Sequence, residues 1–264
     1  MIRLIATDVD GTLVKDGAGS INPEYYEVIS RLCDKGITFC IASGRQFASV
    51  QKLFAPVADK LFYIAEGGAI LRDSKQVHHL ETIPLELISE FLDDCRSCPD
   101  TDHLAATPDL TYSENGETTL MYRMLKDSYG FDMKNLESLN QAPLEQVVKI
   151  SIFHETNAEQ ICSQTLIPKW KDKLQLVCSG NQWIDTLSSK TSKGNALNRL
   201  QKQLGISPEE TMVFGDNMND ITMLKQAKYS YAVANAREEL KKEAAFIADS
   251  YKNDGVLQEL KKLL

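Results

Sequence analysis

Arg3-Leu4-Ile5-Ala6-Thr7-Asp8-Val9-Asp10-Gly11-Thr12 runs from a near-continuous apolar stretch straight into acid. Residues 2–7 read as a buried strand, and the strand ends on two carboxylates two positions apart. Like charges that close raise each other's pKa unless a cation or a proton lies between them. Turn chemistry accounts for Gly11. It does not account for a charged pair closing a buried strand, so Asp8 and Asp10 are candidate site residues.

Outward from this strand the pattern alternates. Asn22-Pro23 starts a helix, since Asn can cap and Pro fits the first helical position. Tyr25, Val28, Ile29 and Leu32 repeat at helical spacing up to Gly36. Residues 37–42 are a second buried strand ending at Ser43-Gly44-Arg45, a helix carries Phe47, Val50 and Phe54, and residues 61–65 form a third strand. Continuous apolar strands alternating with helices predict a parallel sheet covered on both faces. From about residue 71 the alternation lapses. Pro84 opens a helix, Asn115-Gly116 reads as a hairpin turn between two strands, and residues 147–153, 174–178 and 183–187 read as strands around a helix over 157–170. The first pattern then returns: a helix over 193–204, a buried strand over 211–214 ending at Gly215-Asp216, a helix over 219–227, a strand over 230–233 and a terminal helix through Val256, Leu257, Leu260 and Leu263. The expected architecture is an α/β, Rossmann-like parallel-sheet core, a three-layer sandwich split in sequence. Residues 1–82 and 187–264 would make this core, with an inserted α+β cap over 83–186.

Composition narrows the function. The 264 residues carry a formal charge of −8 and a pI of about 5.1, which argues against a nucleic-acid partner. No apolar run reaches the length of a membrane helix, and no export signal is apparent. Six scattered cysteines then read as reduced thiols, so a cytoplasmic location is expected, without membrane attachment. Cys95-Arg-Ser-Cys98 follows a helix where a redox pair would open one. A zinc there would find only His103 nearby. His78-His79 and Trp183 read as surface and packing.

Three predicted strand ends therefore carry polar groups: Asp8 and Asp10, Ser43, and Asp216 with Asn219 and Asp220. In open α/β sheets ligands bind outside the carboxyl ends of the strands, so distant groups can converge there. Lys193, after Thr191-Ser192, can add a positive charge at a helix start. Four motifs in this order, Asp8-Val9-Asp10-Gly11-Thr12, Ser43-Gly44-Arg45, Lys193-Gly194 and Gly215-Asp216-Asn217-Met218-Asn219-Asp220, resemble the haloacid dehalogenase-like hydrolases. Within them the chain resembles the Cof-type sugar phosphatases with a large α/β cap. One stretch departs from the family pattern. Glu66-Gly67-Gly68-Ala69 stands where Asn-Gly-Ala is common, which puts local loop contacts in question.

The resemblance implies a magnesium-dependent phosphatase for a small phosphate monoester, such as a sugar phosphate. Asp8 matches the nucleophile, which splits a slow hydrolysis through an aspartyl-phosphate, and Asp10 the general acid and base. Asp8, Asp216 and the main-chain carbonyl of Asp10 would be oxygen ligands to Mg2+. Ser43, the amides of Val9 and Gly44, Lys193 and Asn219 would contact the phosphate. Asp220 would orient Lys193 or its loop, with Thr12 in support, and Arg45 and Asn217 read as structural. The cap is expected to close during transfer and its inner face to choose the substrate. A monomer or weak homo-oligomer is expected. Two other readings stay open: a phosphomutase on the same fold, and a catalytically inactive sensor of a phosphate ligand.

Overall fold

Residues 1–179 and 181–264 are described by a computed structural model. The apolar strand at the N-terminus lies in the middle of an eight-stranded sheet. In chain order, β1 (Leu4–Thr7), β2 (Thr38–Ala42), β3 (Leu61–Ala65), β4 (Ile70–Asp73) and β5 (Val77–Leu80) run up to the first residue of the second unit. Its strands are β6 (Asp102–Ala106), β7 (Thr111–Ser113), β8 (Met133–Asn135), β9 (Lys149–Phe153), β10 (Leu174–Ser179) and β11 (Trp183–Ser188). Then come β12 (Thr211–Gly215), β13 (Tyr229–Val233) and β14 (Phe246–Ala248). The chain divides into two units, Met1–His79 with Ser192–Leu264, and Leu80–Thr191.

In the first unit the strand order is β14-β13-β12-β1-β2-β3-β4-β5. From β14 to β3 every pairing is parallel. Parallel strands need crossovers, and here these are helices such as Glu24–Asp34, which buries Tyr25, Val28, Ile29 and Leu32. All four residues of β1 are buried, as a strand covered on both faces requires. Parallel register brings the residues after β12, β1, β2 and β3, namely Asp216, Asp8, Ser43 and Glu66, to one end of the sheet, on strands spaced ~5 Å apart. Thus the sheet order itself gathers the polar strand ends.

The sheet is not wholly parallel. β3 and β4 pair antiparallel, and the β4–β5 hairpin turns where Asp73 Oδ1 accepts from the amides of Lys75 and Gln76, at 2.7 and 2.8 Å. This Asx-type turn sits in polar sequence that lacks an apolar run. β14 is apolar but only three residues long, too short for periodicity to mark it as a strand.

The second unit has a six-stranded sheet in the order β10-β11-β9-β6-β7-β8. Its pairings are antiparallel except β7 with β8. Its main core joins Ile88, Phe91 and Leu92 of the Leu85–Arg96 helix to Ile150, Ile152, Ile184 and Trp170. Phe91 and Trp170 meet edge to face, with ring centroids 5.1 Å apart. Two stretches of this unit differ from the sequence expectation. Asn115-Gly116 does not close a hairpin, because the strands on either side of it, β7 and β8, pair parallel and are joined by a longer crossover. Asn115 Oδ1 instead accepts from the His103 amide at 2.8 Å, Gly116 N donates to Asn135 Oδ1 at 2.9 Å, and a short helix over Leu120–Arg123 follows. The helix over 157–170 is interrupted by a π turn over Cys162–Leu166. Pro168 has no N–H for the carbonyl four residues back, so the regular ladder cannot run through it.

Candidate active site

β1 delivers Asp8 to the C-terminal end of the sheet, where the Asp8 amide donates to Phe214 O on β12 at 3.0 Å. Its carboxylate is almost wholly buried. Asp8 Oδ1 lies 2.6 Å from Lys193 Nζ, and Oδ2 accepts from Thr12 Oγ1 at 3.0 Å. Lys193 opens the Lys193–Leu204 helix, capped by Ser192, whose side chain accepts from the Asn195 amide. Its ammonium is buried too, and it also meets Asp220 Oδ1 at 2.7 Å. Asp220 Oδ2 accepts from the amides of Asp216 and Asn217, at 3.1 and 3.2 Å. Asp220 thus holds both the lysine and the loop that carries Asp216. One oxygen from each of Asp8, Asp216 and Asp220 falls within 4.8 Å of the others.

The charges explain the titration. Burial pushes the Asp8 carboxyl well above the usual carboxylate range, opposed by Lys193 and assisted by Asp220 and Asp216. Burial, then the Asp220 charge, pushes Asp216 up to about 7. Burial pushes the Lys193 ammonium down, but Asp220 and Asp8 outweigh it and hold the group above its ordinary range. One cation facing three carboxyls, two of them buried and one half-buried, leaves carboxyls in excess of cations at the site.

Two glycines make this approach possible. Gly11 has φ 76°, and a Cβ there would fall 2.2 Å from Asp216 Oδ2. Gly68, at φ 112°, lets its loop sit on the start of the lysine helix, where a Cβ would lie 2.3 Å from the Ser192 carbonyl carbon. The departing stretch over 66–69 therefore packs under Lys193. In it Glu66 is fully buried at φ 48° and donates its amide to Arg45 O.

The other expected residues lie on the same unit in varied states. Val9 is buried, and Ser43 is buried with Oγ accepting from the Arg45 amide at 3.1 Å. Gly44 has open space where a Cβ would be. Asn219 is exposed. Asp10 turns its carboxylate to Arg45 and to the Gly17 amide. Two further participants carry weak sequence signals or none. In the sequence Arg45 stands out only by its place after Ser43-Gly44. Asn235, which donates to Gly11 O at 2.7 Å, lies in a stretch without a motif.

In the second unit a cavity of about 790 Å3 is lined by Asp100, Asp102, Glu114, Glu137 and Glu155 against the two bases Arg96 and His103. That balance disfavours an anionic ester there. Burial pushes the Cys95 and Cys98 thiols up, which suits packing. Among the described residues no helix is long and apolar enough to cross a membrane.

Residues 5–260 match the haloacid dehalogenase-like hydrolase family. The 5-amino-6-(5-phospho-D-ribitylamino)uracil phosphatase YbjI of Escherichia coli (strain K12) is 30% identical over 100% of this chain and 96% of its own. A solved structure from Eubacterium rectale is 41% identical, with a TM-score of 0.91 over 100% of this chain and 99% of that one. The subclass IIB sugar phosphatase BT4131 shares the fold at a TM-score of 0.85 and 21% identity, over 99% of this chain and 98% of that one. The chain belongs to the haloacid dehalogenase-like hydrolases. Within that family it is a phosphatase, with an α/β parallel-sheet core and a cap unit.

Proposed function

We propose that this enzyme hydrolyses a small, polyhydroxylated phosphate monoester, of the sugar-phosphate or sugar-alcohol-phosphate kind, with Mg2+ through an aspartyl-phosphate at Asp8. The observation that carries this reading is the buried Lys193 bridging Asp8 and Asp220 beside Asp216. The Escherichia coli relative supports the substrate class, since the substrate in its name bears its phosphate on a ribityl chain.

The donor set fits a hard divalent cation. It is all oxygen, and the raised carboxyls of Asp8 and Asp216 are those an added positive charge would bring down. Asp8, Asp216 and the main-chain carbonyl of Asp10 would hold it. Asp220 would stay outside, because its Oδ2 already accepts two amides. The bound ion would offset the repulsion between a carboxylate nucleophile and a dianionic phosphate.

The residues then divide the work. An Asp8 oxygen attacks phosphorus, the phosphorus–oxygen bond to the alcohol breaks, and Asp10 gives that oxygen a proton. In the second half Asp10 takes a proton from water as the water oxygen attacks phosphorus, releasing inorganic phosphate and restoring the Asp8 carboxylate. Lys193, held protonated by its two partners, would balance charge on the transferring group. Ser43, the amides of Val9 and Gly44, and Asn219 would donate to phosphate oxygens. Asp220 and Thr12 would hold Lys193, the Asp216 loop and the Asp8 carboxylate in place.

The test is phosphate release from a panel of sugar and sugar-alcohol phosphates and an aryl phosphate, with magnesium and with a chelator. Magnesium-dependent release supports the reading, with the polyol esters turned over fastest. Conversion of one sugar phosphate into another without net release would replace it with a mutase. Binding without either reaction would leave a sensor.

A further inference from the structure

Asp10 is gripped unlike Asp8. Arg45, only 5% exposed, applies one edge of its guanidinium to the Asp10 carboxylate, with Nε 2.7 Å from Oδ2 and Nη2 bonded to Oδ1. Its remaining Nη1 donates to Ala18 O at 3.0 Å. The turn bearing Ala18, closed by the Ala18 amide on Lys15 O at 3.0 Å, also sends the Gly17 amide to Asp10 Oδ1 at 3.0 Å. Asp10, Arg45 and the turn over residues 15–18 therefore form a closed ring of hydrogen bonds. A carboxylate held at both oxygens by a planar fork cannot rotate without breaking two charge-assisted bonds. A point-charge ammonium could not grip both oxygens and reach the Ala18 carbonyl as well.

We propose that Arg45 is a positioning residue that fastens the Asp10 carboxylate to the residue 15–18 turn, so that this turn sets where the proton-transfer group points. The inference rests on the role given to Asp10 above. It differs from a purely structural ion pair in one respect. Arg45 acts on Asp10 and the turn, while the partners of Asp8 are Lys193 and Thr12. Losing Arg45 should therefore slow turnover and leave phosphate binding in place.

The experiment compares wild type, Arg45→Gln and Arg45→Lys for kcat and KM on an aryl phosphate, for competitive inhibition by inorganic phosphate, and for amide exchange over residues 15–18. Arg45→Gln should lose about 10²-fold in kcat, the scale of a misplaced acid–base group. KM and the phosphate inhibition constant should stay within about threefold, and Gly17 exchange should rise at least about tenfold. Arg45→Lys should recover only part of kcat, and it keeps the test open should the Gln variant not fold. A kcat within about twofold of wild type in both variants would overturn the proposal. So would weakening of phosphate binding in step with kcat, or unchanged exchange over residues 15–18. If wild type itself releases no phosphate, the phosphatase reading falls. The exchange measurement then decides the link between Arg45 and the turn by itself.

Discussion

Each unit buries a cluster of charge, and the two clusters are built in opposite senses. In the first unit, Asp8, Asp216 and Asp220 gather round the single ammonium of Lys193, and burial drives the Asp8 and Asp216 carboxyls up. In the second, Glu114 is matched by donors on both oxygens. Arg96 meets both its oxygens at 3.0 and 2.8 Å, the Leu139 amide donates at 2.8 Å, and His103 Nδ1 lies 3.1 Å away. Burial pushes Glu114 up as well, but the His103 and Arg96 hydrogen bonds and the Leu139 amide outweigh it and hold the carboxyl at about 2. The ratio of donors to carboxylates decides the sign. A cluster matched in donors stabilises the fold, whereas one with carboxylates in excess suits the cation and phosphate of the proposed function.

Substitution of Asp8, the proposed nucleophile, should separate the two senses most widely. Asp8→Asn is expected to lower phosphate release by at least about 10³-fold. It should leave the melting temperature at pH 7 unchanged or higher, because it removes one of three competing carboxylates and Lys193 keeps Asp220. Retained turnover would take the nucleophile role from Asp8. A loss near the 3–5 kcal/mol that follows breaking a matched buried pair would erase the contrast with Glu114. Next in size, Asp216→Ala should lower activity about 10²-fold and raise the magnesium concentration for half-activity at least tenfold. A magnesium titration superimposing on wild type would remove Asp216 from the ligand set.

Glu114→Gln probes the other cluster and should act on stability alone. The carboxyl moves from an ordinary 4.5 to about 2 on folding. Its ionised form therefore contributes on the order of 3 kcal/mol at neutral pH. The folded value is the lower one, so this contribution is complete above about pH 4.5 and is lost as the pH falls toward 2. Denaturant unfolding at pH 7 should show Glu114→Gln less stable by about 2–3 kcal/mol, and the gap to wild type should close between pH 4.5 and 2. Phosphate release at pH 7 should stay within about twofold. A gap constant with pH would mean that shape, not charge, sets the role of Glu114.

The sequence was more legible in the first unit than in the second. Continuous apolar strands such as Ile37 to Ala42 and Thr211 to Phe214 show themselves, and the end of each strand marks where charge must emerge. What stays hidden is pairing across distance. Nothing local to Lys193 says that its ammonium meets Asp8, 185 positions away, and only the resemblance of four ordered motifs suggests it. Arg45 looked structural because its partner, Asp10, sits 35 positions earlier on another strand end. β5, with the sequence Val77-His78-His79-Leu80, and the three-residue β14 are too short or too polar to read. In the second unit Asn115-Gly116 imitates a hairpin because its turn chemistry is real, but the Asn115 side chain is spent on the β6 backbone. Periodicity cannot see a tertiary partner that captures a side chain.

Ser192→Ala should produce the smallest change and still discriminate. The Ser192 hydroxyl accepts from the Asn195 amide at 3.0 Å and caps the helix that begins with Lys193. Losing such a cap costs about 1 kcal/mol. If the cap also aimed the lysine, kcat would fall with stability. The geometry argues otherwise, since the ammonium is tied to Asp8 and Asp220 at 2.6 and 2.7 Å, far along the side chain from the capped turn. Carboxylates belonging to two other strand ends would hold it even as the first helical turn frays. Thermal unfolding should therefore show the loss while phosphate release stays within about twofold. A kcat drop larger than that would mean that the surplus-charge cluster depends on helix capping for its alignment, making it less self-sufficient than the Glu114 cluster.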